Sequence, residues 1–171
     1  IFLVMSQKVV GYTAGVFDLF HIGHINLLRN AKAICDYLIV AVSTDEHVKN
    51  YKNKTPIIPY DHRIEVVKAC KYADIVVPQD NGDRIEAWRK MKFDVMIVGD
   101  DWYGTEKWQE YEKQLKDVGV KIVFFPYTKN ISSTRINDIL EEKRKELEKK
   151  ERELEELKRR IEFEKNLKVI I

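Results

Sequence analysis

The sequence predicts an α/β fold: a Rossmann-like, doubly wound sheet of five parallel strands, followed by a charged helical extension at the C-terminus. The first observation is that short apolar runs alternate with segments of helical periodicity from Val9 to Phe125. Such alternation builds a parallel sheet with helices on both faces, joined by right-handed crossovers. The second observation is a change of composition after Asn137, where Glu, Lys and Arg dominate. We therefore expect a globular domain over residues 1–140 and an extension over residues 141–171.

The composition is that of one globular domain. The chain has 171 residues, of which 44% are hydrophobic and 34% are charged, which suffices for one sizeable core. The net charge of +2 does not indicate nucleic-acid binding. No apolar run is long enough for a membrane span, so we expect a soluble, cytoplasmic protein. Met5 resembles a natural start position, which would place residues 1–4 outside the native chain.

The two cysteines do not indicate a metal site. Cys35 and Cys70 have no metal-ligand spacing with each other or with a histidine, and both fall in apolar helical patterns. We expect buried free thiols. Nothing in the cysteine usage suggests an oxidising compartment.

The first half of the domain contains two strands and two helices. Val9–Ala14 is β-branched and aromatic, and Tyr37–Val42 is almost purely apolar, as expected for strands buried on both faces of a sheet. His24–Ile34 and Tyr60–Lys71 repeat apolar residues at helical spacing. Residues 45–58 are polar and rich in lysine, and we expect a loop there.

The second half continues the alternation. Its predicted elements are, in order, a strand over Asp74–Val77, a helix over Asp83–Met91, a strand over Asp94–Val98, a helix over Trp108–Val118, a strand over Val120–Phe125 and a helix that begins near Ser132. Gly119 directly follows the predicted helix over Trp108–Val118, and glycine commonly ends a helix.

The extension has half of a coiled-coil pattern. Its first seam carries apolar residues seven apart: Leu140, Leu147, Leu154 and Ile161. The opposite seam is mostly Lys or Glu, with only Leu157 apolar. Pairs such as Glu148 and Arg152, four residues apart, favour a solvated helix. A solvated or packed tail, self-association and membrane-surface binding are all compatible with this pattern.

The strongest chemical signal is the segment GVFDLFHIGH, residues 15–24, which joins the first strand to the first helix. His21 and His24 are three apart, and Gly23 permits close approach of the backbone to a ligand. A helix start supplies free N–H groups and the positive end of the helix dipole. Together with imidazole N–H donors, these groups favour phosphoryl or nucleotidyl transfer, which needs no protein nucleophile. A zinc site would need a third ligand that the segment lacks.

Further candidates also follow strands, where sheets of this kind bind ligands. Three consecutive hydroxyl residues, Ser132, Ser133 and Thr134, begin the last helix after Asn130. They can cap the helix or cradle an anion. The chain lacks GxGxxG, so a nicotinamide cofactor is not indicated.

The segment of residues 15–24 resembles the signature of the cytidylyltransferase family of HxGH nucleotidyltransferases, whose members act on glycerol 3-phosphate, phosphocholine or phosphoethanolamine. Val98–Trp102, read as VGDDW, resembles the glycerol-3-phosphate branch. Ile131–Thr134 resembles the ISTT-type helix start of the family. The resemblance covers residues 8–140, so that this part is the expected catalytic domain.

The resemblance implies a role for each matching residue. The catalytic set is His21, His24, Lys52 and Thr128, and the substrate-binding set is Val16, Phe17, Gly23, Lys54, Arg63, Asp100, Asp101, Ile131, Ser132, Ser133 and Thr134. The histidines would contact the CTP phosphates, and the two lysines, in the loop after the second strand, would neutralise phosphate charge. Asp101 would read the cytosine amino group, and Asp100 would face the acceptor. Solvated lysines and, for Arg63, a surface ion pair are the plainer alternatives.

One position departs from the family pattern. The family usually has an arginine before the ISTT-type segment, but this chain has Tyr127 there. Tyrosine lacks the planar, positively charged guanidinium group of arginine. Lys129 lies two residues on and is a possible substitute. Because the charge at this position differs from that of the family, the identity of the phosphoalcohol stays open.

The resemblance implies that an oxygen of the acceptor phosphate attacks the α-phosphorus of CTP and that pyrophosphate leaves. Mg²⁺ would bridge the phosphates, held by substrate oxygens and water rather than by protein ligands. The first expected acceptor is sn-glycerol 3-phosphate, and the expected assembly is a homodimer. Alternatives are phosphocholine, phosphoethanolamine or another polyol phosphate; an adenylyltransferase acting on FMN, pantetheine phosphate or a nicotinamide nucleotide; and a non-enzymatic nucleotide sensor.

Overall fold

The computed structural model describes residues 8–100 and 103–168. The chain divides into two compact units between Ser132 and Ser133. The elements of the first unit are β1 (Val10–Gly15), α1 (Ile22–Ala33), β2 (Tyr37–Ser43), α2 (Asp45–Lys52), α3 (Tyr60–Lys68), β3 (Ile75–Gln79), α4 (Arg84–Met91), β4 (Val95–Gly99), α5 (Glu106–Asp117) and β5 (Lys121–Phe125), and the second unit contains the helix α6 (Ser133–Lys168).

The five strands form one parallel sheet in the order β3-β2-β1-β4-β5. The chain winds outwards from the central β1 in one direction and then in the other, so the predicted doubly wound, Rossmann-like fold is confirmed. The reason lies in the strand sequences. All of β2 after its first residue is buried, because helices cover both faces of a parallel sheet.

Two apolar layers sandwich the sheet. One contains Leu28 and Ala31 of α1, together with Val67 of α3. The other contains Trp108 and Leu115 of α5. Successive side chains of a strand point to opposite faces, so β2 and β4 each contribute to both layers. Helices α1 and α3 therefore pack on one face of the sheet, and α5 packs on the other.

The segment of residues 45–58, expected to be a loop, begins with the helix α2. Thr44 caps it, since its hydroxyl oxygen accepts a hydrogen bond from the His47 amide at 3.2 Å. Acidic residues in the first turn and lysines in the last turn complement the helix dipole. Asn53 ends it in the left-handed conformation, with φ of 50°. Only Val48 is buried, so the helix leaves no apolar periodicity to detect.

The other boundaries differ from the predicted ones by a few residues, because capping decides where an element ends. Helix α3 stops at Lys68, short of the predicted Lys71. Cys35 and Cys70 follow helices and are half-buried free thiols, not fully buried ones. The Cys35 thiol donates a hydrogen bond to the Ala31 carbonyl at 3.2 Å. Within residues 8–100 and 103–168, no helix is sufficiently long and apolar to cross a membrane.

Helix α6 is continuous over 36 residues. Ion pairs three or four residues apart run along it, among them Arg144 with Glu141 at 2.8 Å and Lys150 with Glu146 at 3.0 Å. Glu148 pairs with Arg144 at 3.8 Å, one turn before the expected Arg152. The apolar residues of the first seam, Leu140, Leu147, Leu154 and Ile161, are about half exposed.

Candidate active site

A cleft of about 250 Å³ lies at the carboxyl ends of the strands. Residues at the ends of all five strands line it: Gly15, Ser43, Gln79, Gly99 and Phe125. The parallel register explains the convergence, since Gly15 of β1 pairs with Val42 of β2 and Gly99 of β4 pairs with Phe125 of β5. The cleft brings together six of the predicted site residues, namely Val16, His21, Gly23, His24, Lys52 and Thr128.

His21 and His24 cap the start of α1 reciprocally. The His21 Nδ1 accepts a hydrogen bond from the Gly23 amide at 3.1 Å, and the His24 Nδ1 accepts one from the His21 amide at 3.2 Å. Their rings stack with centroids 3.9 Å apart. A neutral imidazole that accepts at Nδ1 carries its proton on Nε2. Both rings therefore retain an Nε2–H donor.

The surroundings keep both rings neutral. Burial lowers the pKa of His21. Burial, and then the neighbouring His21, lower the pKa of His24 to about 3. Phe17 and Phe20 pack against the His24 ring, each with centroids 5.3 Å away. The site thus offers imidazole N–H donors at neutral pH rather than imidazolium cations.

Gly23 is required by this packing. A Cβ at this position would lie 2.8 Å from the His21 ring and 3.6 Å from Ile131. The first distance is far inside van der Waals contact, so a side chain would displace the His21 imidazole. Ile131, a predicted binding residue, accordingly lies beside the start of α1.

Asp18 and Arg63 attach the segment after α2 to the segment after β1. The Asp18 carboxylate accepts hydrogen bonds from the Ile57 and Ile58 amides, both at 2.9 Å. Arg63 donates to the Ile58 carbonyl at 2.8 Å, and also to the Val16 carbonyl. We call this set of residues the loop clamp: Asp18, Asp45, Ile57, Ile58, Arg63 and Val16. It places a buried arginine and a buried carboxylate beneath the site.

The clamp changes the expectation for Arg63. Its side chain is 1% exposed, its Nη2 pairs with Asp45 at 2.6 Å, and it is absent from the described cleft lining. Its donors bind protein oxygens, so it positions Val16 instead of reaching a phosphate. Phe17 is likewise buried, with φ of 55°. Lys52, the last residue of α2 and not a loop residue, lines the cleft, whereas the exposed Lys54 lies outside the lining.

The opposite end of the cleft is formed after β4 and β5. The Asp100 carboxylate accepts a hydrogen bond from the Tyr127 amide at 2.8 Å. The Thr128 hydroxyl accepts one from the Asn26 amide group at 3.1 Å, which joins this loop to α1. Tyr127 itself lines the cleft. Asp101, with its neighbour Trp102, lies outside the described residues.

The hydroxyl cluster falls at the division between the two units. Ser132 is the final residue of the first unit, and Ser133 and Thr134 begin α6. Ser132 and Ser133 are half-buried, and Thr134 is exposed.

Several basic residues of the cleft were not predicted from the sequence. His47, Arg84 and Lys107 line it, together with Trp108. His47 lies in the segment expected to be a loop, and Arg84 and Lys107 lie in the first turns of α4 and α5, outside any motif. The available signal was their position, because each comes a few residues after a strand. Burial, and then the Arg84 charge, lower the pKa of His47.

No group of three or more His, Cys, Asp or Glu side chains within the described ranges could hold a metal ion. The cleft lining there contains neither Asp nor Glu. The histidine, lysine and arginine side chains of the cleft suit an anionic ligand that carries its own bound cation. They do not suit a free cation.

Comparisons with known proteins show the family of the chain. Residues 12–139 match the cytidylyltransferase-like family. A glycerol-3-phosphate cytidylyltransferase of Bacillus subtilis is 38% identical over 139 residues, which cover 77% of this chain and 95% of that protein. An FAD synthase of Pyrococcus horikoshii is 34% identical over 139 residues, which cover 80% of this chain and 93% of that protein. A solved lipopolysaccharide core biosynthesis protein of Thermoplasma volcanium aligns with a TM-score of 0.62 and 26% identity, covering 73% of this chain and all of that one.

Proposed function

Because this chain belongs to the cytidylyltransferase-like family, we propose that it transfers CMP from CTP to a small phosphorylated alcohol and releases pyrophosphate. Its relatives identify it as a nucleotidyltransferase. The proposed acceptor is sn-glycerol 3-phosphate, supported by relatives of that name at 37–38% identity. The observation that carries the proposal is the pair of neutral imidazoles, His21 and His24, at the start of α1 in the cleft.

The proposed reaction is a direct displacement at phosphorus. An oxygen of the acceptor phosphate forms a bond to the α-phosphorus of CTP while the bond from that phosphorus to the bridging oxygen of the β-phosphate breaks. The products are the CDP-alcohol and pyrophosphate. No covalent enzyme intermediate is needed, so the protein contributes positioning and charge stabilisation.

The residues of the cleft supply complementary donors for this step. The Nε2–H groups of His21 and His24 would donate to phosphate oxygens without giving up a proton, because both rings are neutral and fixed at Nδ1. The start of α1 adds the positive end of its dipole, and Lys52 adds a cation. Bound with the nucleotide, Mg²⁺ would offset negative charge on the phosphates, held by substrate oxygens since the described cleft lining has no carboxylate.

Two features support a second candidate. Relatives named FAD synthase are nearly as similar, at 34–36% identity, and Tyr127 departs from the expected arginine. Transfer of AMP from ATP to FMN is therefore the alternative. The loss of a fixed cation next to Thr128 also makes phosphocholine and phosphoethanolamine worth testing.

A pyrophosphate-release assay with CTP and with ATP separates these functions. Each nucleotide is combined with sn-glycerol 3-phosphate, phosphocholine, phosphoethanolamine or FMN, and products are identified by mass. We expect CTP with sn-glycerol 3-phosphate to give the highest kcat/KM. Equal or better turnover with ATP contradicts the proposal, and nucleotide binding without any pyrophosphate release favours a nucleotide sensor.

A further inference from the structure

Arg84 is a partly buried cation with unmet hydrogen-bonding capacity. It is the first residue of α4 and lines the cleft. Its Nε and Nη1 atoms are buried and have no hydrogen-bond partner. No ion pair of Arg84 occurs among the described residues. Arg63, which is fully buried, has its donors bound to two carbonyls and a carboxylate. Unpaired buried donors on a charged group are costly, so a ligand that supplies acceptors is expected at Arg84.

The neighbours of Arg84 hold it without neutralising it. Its guanidinium carbon lies 5.6 Å from the centre of the Trp108 ring, a cation–π contact. It also interacts with the phenol of the buried Tyr12. Neither group carries a negative charge at neutral pH, because burial raises the pKa of Tyr12. The guanidinium is thus fixed in place but keeps its full charge.

The rest of the cleft indicates the sign of the ligand. Lys52 and Lys107 also line it, and its described lining contains no Asp or Glu. Three cations with no carboxylate favour an anion, and planar guanidinium N–H groups match the geometry of phosphate oxygens.

The Arg84 group and the histidine pair reach the cleft from opposite faces of the sheet. Helix α1, which carries His21 and His24, packs in one apolar layer. Trp108, beneath Arg84, and Ile85, next to it in sequence, pack in the other layer. The two donor sets therefore approach the strand ends from different sides, an arrangement suited to holding two anionic groups in one cleft. A displacement at phosphorus needs two such anions, the nucleotide phosphates and the attacking acceptor.

We infer that Arg84 binds the phosphate of the acceptor, so that the cleft has two phosphate subsites on either side of the strand ends. This inference rests on the proposed nucleotidyl transfer. The nucleotide phosphates occupy the His21 and His24 side, and the acceptor phosphate monoester occupies the Arg84 side. Arg84 then selects phosphorylated over unphosphorylated alcohols.

The test uses Arg84→Gln, with Arg84→Lys as the conservative variant and Arg89→Gln as the matched control. Arg89 lies on the same helix, is exposed and is absent from the described cleft lining. Isothermal calorimetry measures the affinity of the full chain for sn-glycerol 3-phosphate and, separately, for CTP. We expect Arg84→Gln to weaken the binding of sn-glycerol 3-phosphate by at least about tenfold, because one charge-assisted hydrogen bond is lost. CTP affinity should stay within about threefold of wild type, Arg84→Lys should be intermediate, and Arg89→Gln should match wild type.

Melting temperatures distinguish a ligand-binding arginine from a structural one. Without anions, Arg84→Gln should melt at or above the wild-type temperature, since it removes an uncompensated charge. Inorganic phosphate should raise the wild-type Tm more than that of Arg84→Gln. A lower Tm without anions, together with unchanged binding of both substrates, shows a structural role and overturns the inference. An equal loss of affinity for CTP and for sn-glycerol 3-phosphate would mean that Arg84 binds the nucleotide phosphates, which also overturns the inference.

Failure of the proposed function leaves a different signature. If no acceptor yields pyrophosphate, the proposed transfer is wrong, yet binding of inorganic phosphate still tests the subsite. In that case a wild-type protein that binds phosphate no better than Arg84→Gln overturns the subsite as well. With an active enzyme, Arg84→Gln should raise the KM for the acceptor and leave the KM for CTP nearly unchanged.

Discussion

At the scale of single residues, His21 and His24 serve the fold and the proposed chemistry through different nitrogens. Their Nδ1 atoms accept backbone hydrogen bonds that begin α1. Their Nε2 atoms keep the proton that the proposed transfer uses. A substitution that keeps the Nδ1 capping acceptor but removes the Nε2–H donor can separate the stability of the helix start from catalysis.

His21→Asn and His21→Ala should differ in stability but not in activity. Asparagine is a good helix N-cap, and alanine is not, with a cost of about 1 kcal/mol. Neither residue supplies the Nε2–H donor, so both should lower kcat by about 10²-fold or more. Thermal unfolding and steady-state kinetics check this expectation. If His21→Asn kept a normal kcat, His21 would be a capping residue only.

The His24 imidazole should remain neutral at pH 5 and carry its proton on Nε2. Burial, and then His21, lower its pKa to about 3 in the folded protein, whereas an unfolded histidine titrates near 6.5. Nitrogen-15 NMR of the ring reports both the tautomer and the titration. An inflection at or above pH 6.5, or a proton on Nδ1, would contradict the capping arrangement.

The same shift links stability to pH. Because the folded pKa of His24 is depressed, the unfolded chain binds the additional proton below about pH 6.5. The stability contributed by neutral His24 is therefore complete above that pH and is lost as the pH falls towards 3. In a His24→Asn variant, the unfolding free energy should fall less steeply over this range, measured by denaturant unfolding.

At the scale of elements, the loop clamp connects the segment after β1 with the segment that joins α2 to α3, about 40 residues later. Asp18 follows β1, Ile57 and Ile58 follow α2, and Arg63 lies in α3. The clamp thereby orders the chain immediately after Lys52. Its polar groups are nearly all satisfied by one another, which explains how a buried arginine is tolerated.

Asp18→Ala should loosen the segment after α2. The change leaves the Ile57 and Ile58 amides without their acceptor and should lower the free energy of unfolding by about 2–4 kcal/mol. Hydrogen exchange of these two amides should accelerate more than that of β2 amides such as Val40. Asp18→Asn, which keeps one acceptor oxygen, should lie between Ala and wild type. Unchanged protection of Ile57 and Ile58 would show that the clamp does not order the segment.

At the scale of the whole molecule, the proposed chemistry falls within the first unit and the charged helix forms the second. The apolar seam of α6, from Leu140 to Ile161, is about half exposed and could meet a second copy, but its opposite seam is too charged for a strong zipper alone. We therefore propose a homodimer whose main contact lies in the catalytic domain, with α6 adding to it.

Truncation after Leu140 should leave a folded, active dimer. Every described residue of the cleft lies before Lys129, so kcat should remain within about twofold of the full chain, as expected for a change away from the site. Light scattering gives the mass and the pyrophosphate assay gives kcat. A truncated protein that is folded but inactive would show that α6 completes or regulates the site, and a folded, active monomer would show that α6 carries the dimer contact.

The sequence by itself determined the strands, the fold class and the position of the histidine pair. Apolar runs such as Tyr37–Val42 have one stable environment, the interior of a parallel sheet, so local pattern suffices. The histidine segment joins a strand to a helix within ten residues of sequence, so its placement at the ligand-binding edge also follows from local order. The helix α2 was not predicted, because it buries only Val48 and therefore shows no apolar periodicity in the sequence.

Only the tertiary structure decided which cations line the cleft. Arg63 matches a family position yet lies inside the loop clamp, and Arg84 matches no motif yet lines the cleft. Both are arginines in the first turns of helices that follow polar segments, and nothing local separates them. Their difference arises from the acceptors around them. Arg63 donates to the neighbouring Ile58 and to the more distant Val16 and Asp45. Arg84 meets Tyr12 and Trp108, which supply no negative charge. Satisfaction of a buried charge depends on contacts between segments, and sequence order alone does not specify them.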